Sequence, residues 1–443
     1  MRTIPGILVA IALVASNAGA AELPAIVQKP AADVYAAPRF DAPKVTTLQR
    51  NAQVKISAQQ GLWYQLQLPA GTPGFVRVND VRMAYASAED GAANLRVLMG
   101  GKAGQGRVTE TAGVRGIEES DLKAAALDRA QLDAMIGYRV DAPAAAEYAR
   151  AQGWQATSVA YAGEAKRAKK AKTSTADAAP SKAALTKSVS GLLGSLGVAV
   201  DPMVDTAAKA LPRFEGELAA EEIALGPEIA GRILGARPLW NDAGAQHRVN
   251  LVGRWVASQS SRPELPWTFG VIDTPEVNAF AAPGGFILIT RGLYELLSSE
   301  AELAAVLGHE VSHCVQRDHY NVIHKQELAN TGKDLALQEV DTGKDTLAGS
   351  YARRYAEQNG AAIMLTSLDR EAEFRSDEAA EYYLARAGMN PLALYAVLQK
   401  LTALGSESAS LAQLYKSHPP LDARIDRIDQ RGYGALEPYT TRD

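Results

Sequence analysis

The chain has 443 residues, of which 47% are hydrophobic and 22% are charged. This composition allows two or three domains with buried cores and excludes a disordered or fibrous protein. The formal net charge of −4 gives no sign of the basic surface that binds nucleic acid, so we expect no nucleic acid partner.

Residues 1–20 have the pattern of a secretory signal peptide. An early arginine precedes an apolar run from Ile4 to Val14, and Ala18 and Ala20 have the small-residue spacing of a cleavage site. A membrane anchor is the alternative, but the run is shorter than the roughly 20 residues that a span needs. We therefore expect cleavage after Ala20 and export to the periplasm.

Residues 27–85 have the pattern of a small all-β unit. Short alternating segments, VKIS at 54–57, LWYQLQL at 62–68 and FVRV at 75–78, are separated by glycine-containing turns. Their order resembles bacterial SH3-like domains, which implies a small barrel that docks to cell wall or to protein. A purely structural appendage is the alternative that the sequence leaves open.

The next two segments show no recognisable chemistry. Residues 90–162 are predicted to form a small, mostly helical region, with one amphipathic helix over 121–138. Residues 163–188 combine basic, Ala, Ser and Thr residues with almost no large apolar ones, which is typical of a linker. Its central basic residues are Lys166, Arg167, Lys169, Lys170 and Lys172. Peripheral contact with anionic lipid is the alternative to a solvated tether.

Residues 189–433 are predicted to form a helix-dominated domain with one strand-like stretch at 277–290. After that stretch, Ser299 and Glu302 have the spacing of a capping box, which predicts a helix through the sequence that follows. The helix would carry HEVSH, residues 309–313.

The HEVSH motif predicts a zinc site. His309 and His313 are four residues apart, so on a helix they project from one face as two ligands of one ion. Glu310 lies beside them, within reach of a metal-bound water. We therefore expect one Zn²⁺ per chain, held by two imidazoles and a further protein ligand.

His319 is one candidate for that further ligand. It would reach the ion only if the helix broke after His313, and Gln316 stands where a glycine would permit the break. Glutamine favours continuation of the helix, which would carry His319 away from the ligand face.

Glu373 is the second candidate. Glu373 and Asp377 stand four apart on a predicted helix that Ser367 would cap. Glu373 would coordinate zinc, and Asp377 would accept a hydrogen bond from a ligand histidine. A solvated acidic face is the alternative for such a pair taken alone.

Three stretches together resemble the gluzincin family that contains the CaaX prenyl proteases, HtpX and the mitochondrial Oma-type proteases. They are NAFAAPGGFILITRGLYELLSSEAELAAVLGHEVSH, REAEFRSD and SHPPLDARI. The resemblance implies an α+β zinc metallopeptidase domain of the soluble periplasmic branch, with Glu373 as third ligand and Asp377 behind it. The sequence departs from the family at Asp318, where a histidine often stands.

The resemblance also implies a mechanism. Zinc would activate a water and polarise the scissile carbonyl, and Glu310 would move the proton from that water to the leaving amine. Arg424 or His418 would stabilise the oxyanion. His418 would alternatively occupy the fourth zinc position in the resting enzyme, or merely cap the last helix. An extended substrate would pair with the backbone of Asn278, Ala279, Phe280 and Ala281.

These observations favour an exported zinc endopeptidase that cleaves misfolded or stalled envelope proteins. The alternative is an envelope assembly or binding factor with a chaperone-like role, in which proteolysis is incidental. A peptidoglycan hydrolase is suggested only by the SH3-like unit and ranks lower. The long segment His324–Met364, rich in polar and small residues, is predicted to cover the cleft as a lid.

Overall fold

The computed structural model describes residues 22–68, 72–83, 91–99, 117–164, 215–331, 354–405, 408–418 and 420–442. The predicted signal peptide, almost all of the predicted linker and the middle of the predicted lid lie outside these residues. Within them, no helix is both long and apolar enough to cross a membrane.

The N-terminal unit is an antiparallel sheet of seven strands in the order β3-β2-β6-β5-β4-β1-β7. The strands are β1 Leu23–Val27, β2 Ala31–Tyr35, β3 Lys44–Gln49, β4 Gln53–Gln60, β5 Trp63–Gln67, β6 Pro73–Arg77 and β7 Val81–Met83. All three predicted segments lie on β4, β5 and β6. The sheet begins earlier than the predicted boundary at residue 27, because β1 pairs with both β4 and β7.

The remainder of the described chain is mainly helical. Its first helices are α1 Gly91–Leu98, α2 Glu119–Ala124, α3 Arg129–Gly137, α4 Ala142–Ala151, α5 Glu215–Ala236 and α6 Ala243–Ala257. A small sheet follows, with β8 Thr268–Ile272, β9 Ala279–Ala282 and β10 Phe286–Thr290. The last helices are α7 Arg291–Leu296, α8 Glu300–Gln316, α9 Asp318–Thr331, α10 Arg370–Arg386, α11 Leu392–Ala403, α12 Ala412–Ser417 and α13 Leu421–Arg431.

The small sheet has the order β8-β10-β9, with β8 parallel and β9 antiparallel to β10. The predicted stretch at 277–290 is a hairpin whose turn contains Gly284 and Gly285 at φ 72° and 91°. Glycine adopts such positive φ without steric cost. The sequence prediction missed β8, because its sequence, TFGVI, is buried at every position and shows no period-two alternation of polar and apolar residues.

The region 90–162 was predicted as a separate small helical unit, but its described residues, 91–99 and 117–162, pack against the large domain. The single helix predicted over 121–138 is wrong, because the chain breaks after α2 and Asp128 caps α3 by accepting from the Gln131 amide at 2.9 Å. Leu132 of α3 belongs to the same buried cluster as Ile229 of α5. Short helices have too little apolar surface to form a core alone, so they use that of their neighbour.

The ends of the predicted lid segment are helical rather than irregular. Helix α9 extends to Thr331, and residues 354–359 are also helical. A 3-10 turn at Ala362–Leu365 then packs against β9. Residues 332–353 lie outside the described part of the chain, so the lid stays a prediction.

Helix α11 joins the N-terminal sheet to the large domain. The buried Gln399 side chain accepts from the Met83 amide at 2.9 Å and donates to the carbonyls of Val78 and Val81 at 2.8 and 2.9 Å. On the next residue, Lys400 donates to both carboxylate oxygens of Glu302, at 2.9 and 2.7 Å. Gln59 of β4 donates to the same carboxylate at 3.1 Å.

We expect Lys400→Met to lower the free energy of unfolding by about 3–5 kcal/mol, because it leaves the Glu302 carboxylate buried without its cation. Both side chains are almost completely buried. The matched control is Lys123→Met, whose lysine is 61% exposed and pairs with Glu119 on the surface; we expect it to cost under about 1 kcal/mol. Urea unfolding measures both, and equal small losses would show that the buried pair is not stabilising.

Candidate metal centre

Helix α8 places the predicted HEVSH motif as expected. Ser299 caps the helix by accepting from the Glu302 amide at 3.1 Å. The Glu302 side chain does not complete a capping box, since it accepts instead from the Ser298 amide at 2.7 Å. His309 and His313 are both buried, as are their neighbours along this part of the helix.

Helix α10 carries Glu373 and Asp377 and lies directly against α8. It is capped by Asp369, which accepts from the Ala372 amide at 2.7 Å, so the predicted cap at Ser367 is wrong. The two helices approach closely at Gly308, where an added Cβ would lie 3.6 Å from Ala380. This close packing brings the acidic pair of α10 to the histidines of α8.

Four side chains offer ligand atoms that lie within 4.8 Å of one another: His309, His313, Glu373 and His418. The Glu373 carboxylate lies 3.4 Å from Nε2 of His309 and 3.5 Å from Nε2 of His313. His418 follows α12, and its Nδ1 lies 2.8 Å from Oε2 of Glu373. His418 does not cap the last helix, because α13 begins after Pro420 without a side-chain cap.

Each α8 histidine has a carboxylate behind it. Nδ1 of His309 lies 2.9 Å from Asp377, which is the partner predicted from the sequence. Nδ1 of His313 lies 2.8 Å from Asp318, which the sequence prediction did not assign to the site. Carboxylates in this position fix the ring tautomer and orientation of a metal-binding histidine.

The arrangement fits a cation held by Nε2 atoms. If Nδ1 of each ring donates to its carboxylate, both Nε2 atoms are acceptors, yet those of His309 and His313 lie 3.1 Å apart. Two acceptors cannot bond to each other, whereas a cation would satisfy both. Oε1 of Glu373 is also buried without a hydrogen-bond partner in the described chain. Two imidazoles and a carboxylate are the donor set of a catalytic zinc site.

Arg424 of α13 holds Asp377 in place. Its Nε and Nη2 donate to the two carboxylate oxygens at 2.9 and 2.5 Å, and Nη2 lies 3.3 Å from Nδ1 of His309. Burial raises the pKa of Asp377, but Arg424 and the hydrogen bond with His309 outweigh it and lower that pKa to about 2. Asp377 is therefore a permanent acceptor for His309.

The charges around Glu373 keep it ionised. Burial raises its pKa, but His418 and the hydrogen bonds from His309 and His418 lower it well below its ordinary value. For His309, burial and Arg424 lower the pKa, while the hydrogen bonds with Asp377 and Glu373 raise it to about 9. The cluster thus attracts positive charge, which is the property of a cation site.

The predicted continuation of the motif helix past Gln316 is wrong. Arg317 has φ 60°, in the left-handed region, and ends α8. Glu222 of α5 is fully buried, and its carboxylate accepts hydrogen bonds from Arg317, at 2.7 Å, and from Arg262. Arg262 also donates to the backbone carbonyl of Cys314 at 3.0 Å. The turn that this network stabilises brings Asp318 back to His313.

His319 lies near the cluster but outside the set of four. Its ring centroid is 6.2 Å from that of His313. Burial lowers its pKa to about 3, and neither ring nitrogen has a hydrogen-bond partner among the described residues. His319 is therefore a neutral neighbour of the site in this structure.

The predicted substrate strand lies at the edge of the small sheet and is covered. Its members, Asn278, Ala279, Phe280 and Ala281, are all at most 5% exposed. Phe280 belongs to the buried cluster that contains Ile363 and Met364 of the Ala362–Leu365 turn. The Asn278 side-chain amide is buried, and neither its nitrogen nor its oxygen bonds to a described residue.

Comparison with known proteins agrees with this geometry. Residues 244–432 match peptidase family M48, and residues 30–81 match the bacterial SH3 domain. Over 213 residues, 46% of this chain and 42% of its relative, the sequence is 26% identical to the beta-barrel assembly-enhancing protease of Escherichia coli. It is 29% identical over 163 residues to the mitochondrial metalloendopeptidase OMA1 of Arabidopsis thaliana, which covers 37% of this chain and 31% of that one.

A third relative is the protease HtpX of Xylella fastidiosa, 28% identical over 184 residues, which cover 35% of this chain and 63% of that one. The chain thus spans less than half the length of the first two relatives that it matches. It contains a small all-β bacterial SH3 domain followed by a mainly helical M48 domain.

We expect Asp318→Ala to weaken zinc binding about 10- to 100-fold, because His313 loses the acceptor that orients its ring. The matched control is Asp242→Ala, which removes the cap of α6 without touching the cluster and should leave zinc affinity unchanged. Competition with a chromophoric chelator measures the affinity of both variants. Equal affinities in Asp318→Ala and the wild type would contradict a role for Asp318.

Proposed function

Because residues 244–432 form a peptidase family M48 domain, we propose that this protein is an exported zinc endopeptidase that hydrolyses peptide bonds in misfolded or stalled envelope proteins. The proposal rests on one observation: the ligand atoms of His309, His313 and Glu373 lie within 4.8 Å of one another. Glu310 lies in the cavity beside these atoms, together with His309 and His418.

His309, His313 and Glu373 would hold one zinc ion. When bound, zinc lowers the pKa of a coordinated water and polarises a carbonyl oxygen. Asp377 and Asp318 would act on the ion indirectly, since each lies within hydrogen-bond distance of Nδ1 of one of these histidines and would direct its Nε2 towards the metal.

Glu310 would be the general base and then the general acid. Glu310 lines the cavity together with His309, and its carboxylate would accept a proton from the attacking water and pass it to the leaving amine. Arg424 lines the same cavity. Its Nη1 makes no hydrogen bond with a described residue, so this nitrogen is the one left to stabilise an oxyanion.

An extended substrate would pair with the outer edge of β9, as an added strand. That strand is covered in this structure, and Ile363 and Met364 belong to the cluster that buries Phe280. We propose that the substrate displaces the Ala362–Leu365 turn, which contacts β9 and lies at the C-terminal end of the predicted lid. The contact between this turn and β9 supports the lid hypothesis at the C-terminal end of the predicted segment.

The envelope location rests on the predicted signal peptide and on a relative whose name refers to beta-barrel assembly. The SH3 domain would add a cell-wall or protein partner. Pairing through backbone groups selects segments that are unfolded and accessible, so unfolded or misassembled proteins are the proposed substrates. The alternative of a binding factor uses the same cleft to hold a client without cleaving it.

We expect Glu310→Gln to retain one zinc ion and to cleave unfolded casein at least 10²-fold more slowly, because the amide cannot accept the water proton. Glu371→Gln, an exposed glutamate on α10, is the matched control and should cleave at the wild-type rate. Zinc content is measured on all three proteins. Wild-type protein that binds zinc and casein without cleaving it would favour the binding factor.

We expect His418→Ala to raise basal casein cleavage and to weaken zinc binding, because His418 lies among the four candidate ligands and would occupy the position that water needs. Lys416→Ala, on the exposed side of α12, is the control. Unchanged cleavage and zinc affinity would reject this latch. Slower cleavage with zinc still bound would instead assign His418 to oxyanion stabilisation.

A further inference from the structure

Helix α13 lies between the metal centre and the N-terminal sheet. On its buried side, Arg424 donates to Asp377, which lies 2.9 Å from Nδ1 of His309. At 100° per residue, the opposite side of the helix carries three aspartates within an arc of about 60°. They are Asp422, Asp426 and Asp429.

Arg82, the central residue of β7, is the group of the N-terminal sheet that meets these aspartates. Its Nη1 donates to Asp426, and its Nη2 donates to the backbone carbonyl of Asp422 at 3.4 Å. The guanidinium also lies 3.8 Å from the carboxylate of Asp422 and 4.0 Å from that of Asp429. One cation of the sheet therefore offsets three like charges on one side of α13.

The start of α13 needs such an external restraint. The helix begins after Pro420 without a side-chain cap, and helix ends fray where their first turn is not held. Arg424 lies in this first turn, so fraying would release its contact with Asp377. Arg82 bonds to the carbonyl of Asp422 in the same turn and to a carboxylate one turn further on, which holds this end of the helix.

The apolar side of α13 does not replace that restraint. Leu421, Ile425 and Ile428 are at most 3% exposed and attach the helix to the large domain, but apolar contacts are non-directional. Arg424 instead donates from Nε and Nη2 to both carboxylate oxygens of Asp377. Such a forked pair requires a defined orientation of the helix that carries it.

The N-terminal sheet holds the chain a second time, after α13. Arg77 of β6 donates to the carbonyl of Thr440 at 2.5 Å, and Asn390 donates to the same carbonyl at 2.9 Å. The Arg77 guanidinium lies 5.1 and 4.9 Å from the ring centroids of Phe40 and Trp63 in the N-terminal unit. The segment from α13 to Thr440 is thus attached to the sheet at both ends.

We propose that Arg82 is a positioning residue for the metal centre, which holds the start of α13 and so keeps Arg424 in contact with Asp377. Asp377 in turn orients His309, so the effect of Arg82 reaches the ion. This inference rests on the proposed zinc site and adds a contribution from outside the peptidase domain. The SH3 domain then helps to complete the metal centre, whether or not it also binds a partner.

The test measures zinc affinity of the full chain by competition with a chromophoric chelator. Arg82→Ala removes the cation, and Arg82→Lys keeps the charge without the fork. Asp426→Asn weakens the contact from the helix side, and this side chain is 52% exposed, so the substitution has little effect on folding. Arg129→Ala is the matched control, since Arg129 pairs with Asp133 on the surface of α3.

Arg82→Ala is expected to weaken zinc binding about 2- to 30-fold, the range for residues that act on a site through a network of contacts. Asp426→Asn should weaken it by less, and Arg82→Lys should lie between Arg82→Ala and the wild type. Arg129→Ala should bind zinc as the wild type does. Wild-type affinity in both Arg82→Ala and Asp426→Asn overturns the proposal.

A double-mutant cycle distinguishes positioning from a general loss of stability. Arg424→Lys keeps the charge but loses the forked contact with Asp377. If Arg82 acts through Arg424, Arg82→Ala costs clearly less zinc affinity in Arg424→Lys protein than in the wild type. An equal loss in both backgrounds overturns the proposal, because Arg82 would then act on zinc by another route.

Casein cleavage by the same proteins separates this inference from the proposed function. If the wild type binds zinc and cleaves casein, and Arg82→Ala matches it in both, the inference alone is wrong. If the wild type binds zinc without cleaving, and Arg82→Ala still binds zinc more weakly, the inference stands and the endopeptidase does not. A wild type that binds no zinc removes both.

Discussion

The Nε2 atoms of His309 and His313 lie 3.1 Å apart, and both are acceptors when each ring donates its Nδ1 proton to the carboxylate beside it. Acceptors at this distance repel each other unless a cation lies between them, so the surrounding fold has to hold them together. Helix packing at Gly308 and Ala380 provides the approach. Asp377 and Asp318 provide the orientation, and both are themselves fixed, the first by Arg424 and the second by the turn at Arg317.

The parts of this centre that local rules govern were predictable from the sequence. The four-residue spacing of His309 and His313 decides their common face on any helix. Glu373 needed more, because an acidic residue on a helix is usually solvated, and only the resemblance to a peptidase family distinguished it. The contact between Asp318 and His313 could not be predicted from the sequence. The position of Asp318 depends on a left-handed residue whose side chain is held by Glu222, a carboxylate that is distant in the chain.

The same distinction applies to the fold. The segments on β4, β5 and β6 were predicted from their alternating residues, whereas β8 is buried at every position and has no period to detect. The break between α2 and α3 is decided by contact with α5, where the Asp128 amide donates to the carbonyl of Gly231 at 2.9 Å. Such contacts override helical propensity, which is a weak preference.

Helix α11 shows why the SH3 domain is more than a tethered appendage. One face of this helix, which includes Leu398 and Leu401, lines the cavity beside the metal centre. Gln399 of the same helix makes hydrogen bonds with three backbone groups of the N-terminal sheet. Lys400 then ties the helix to Glu302 at the start of the motif helix. Because the sheet bonds to the helix that shapes the cavity, the two domains share one structural framework. A structural role for the SH3 domain therefore exists whether or not its outer surface also binds a partner.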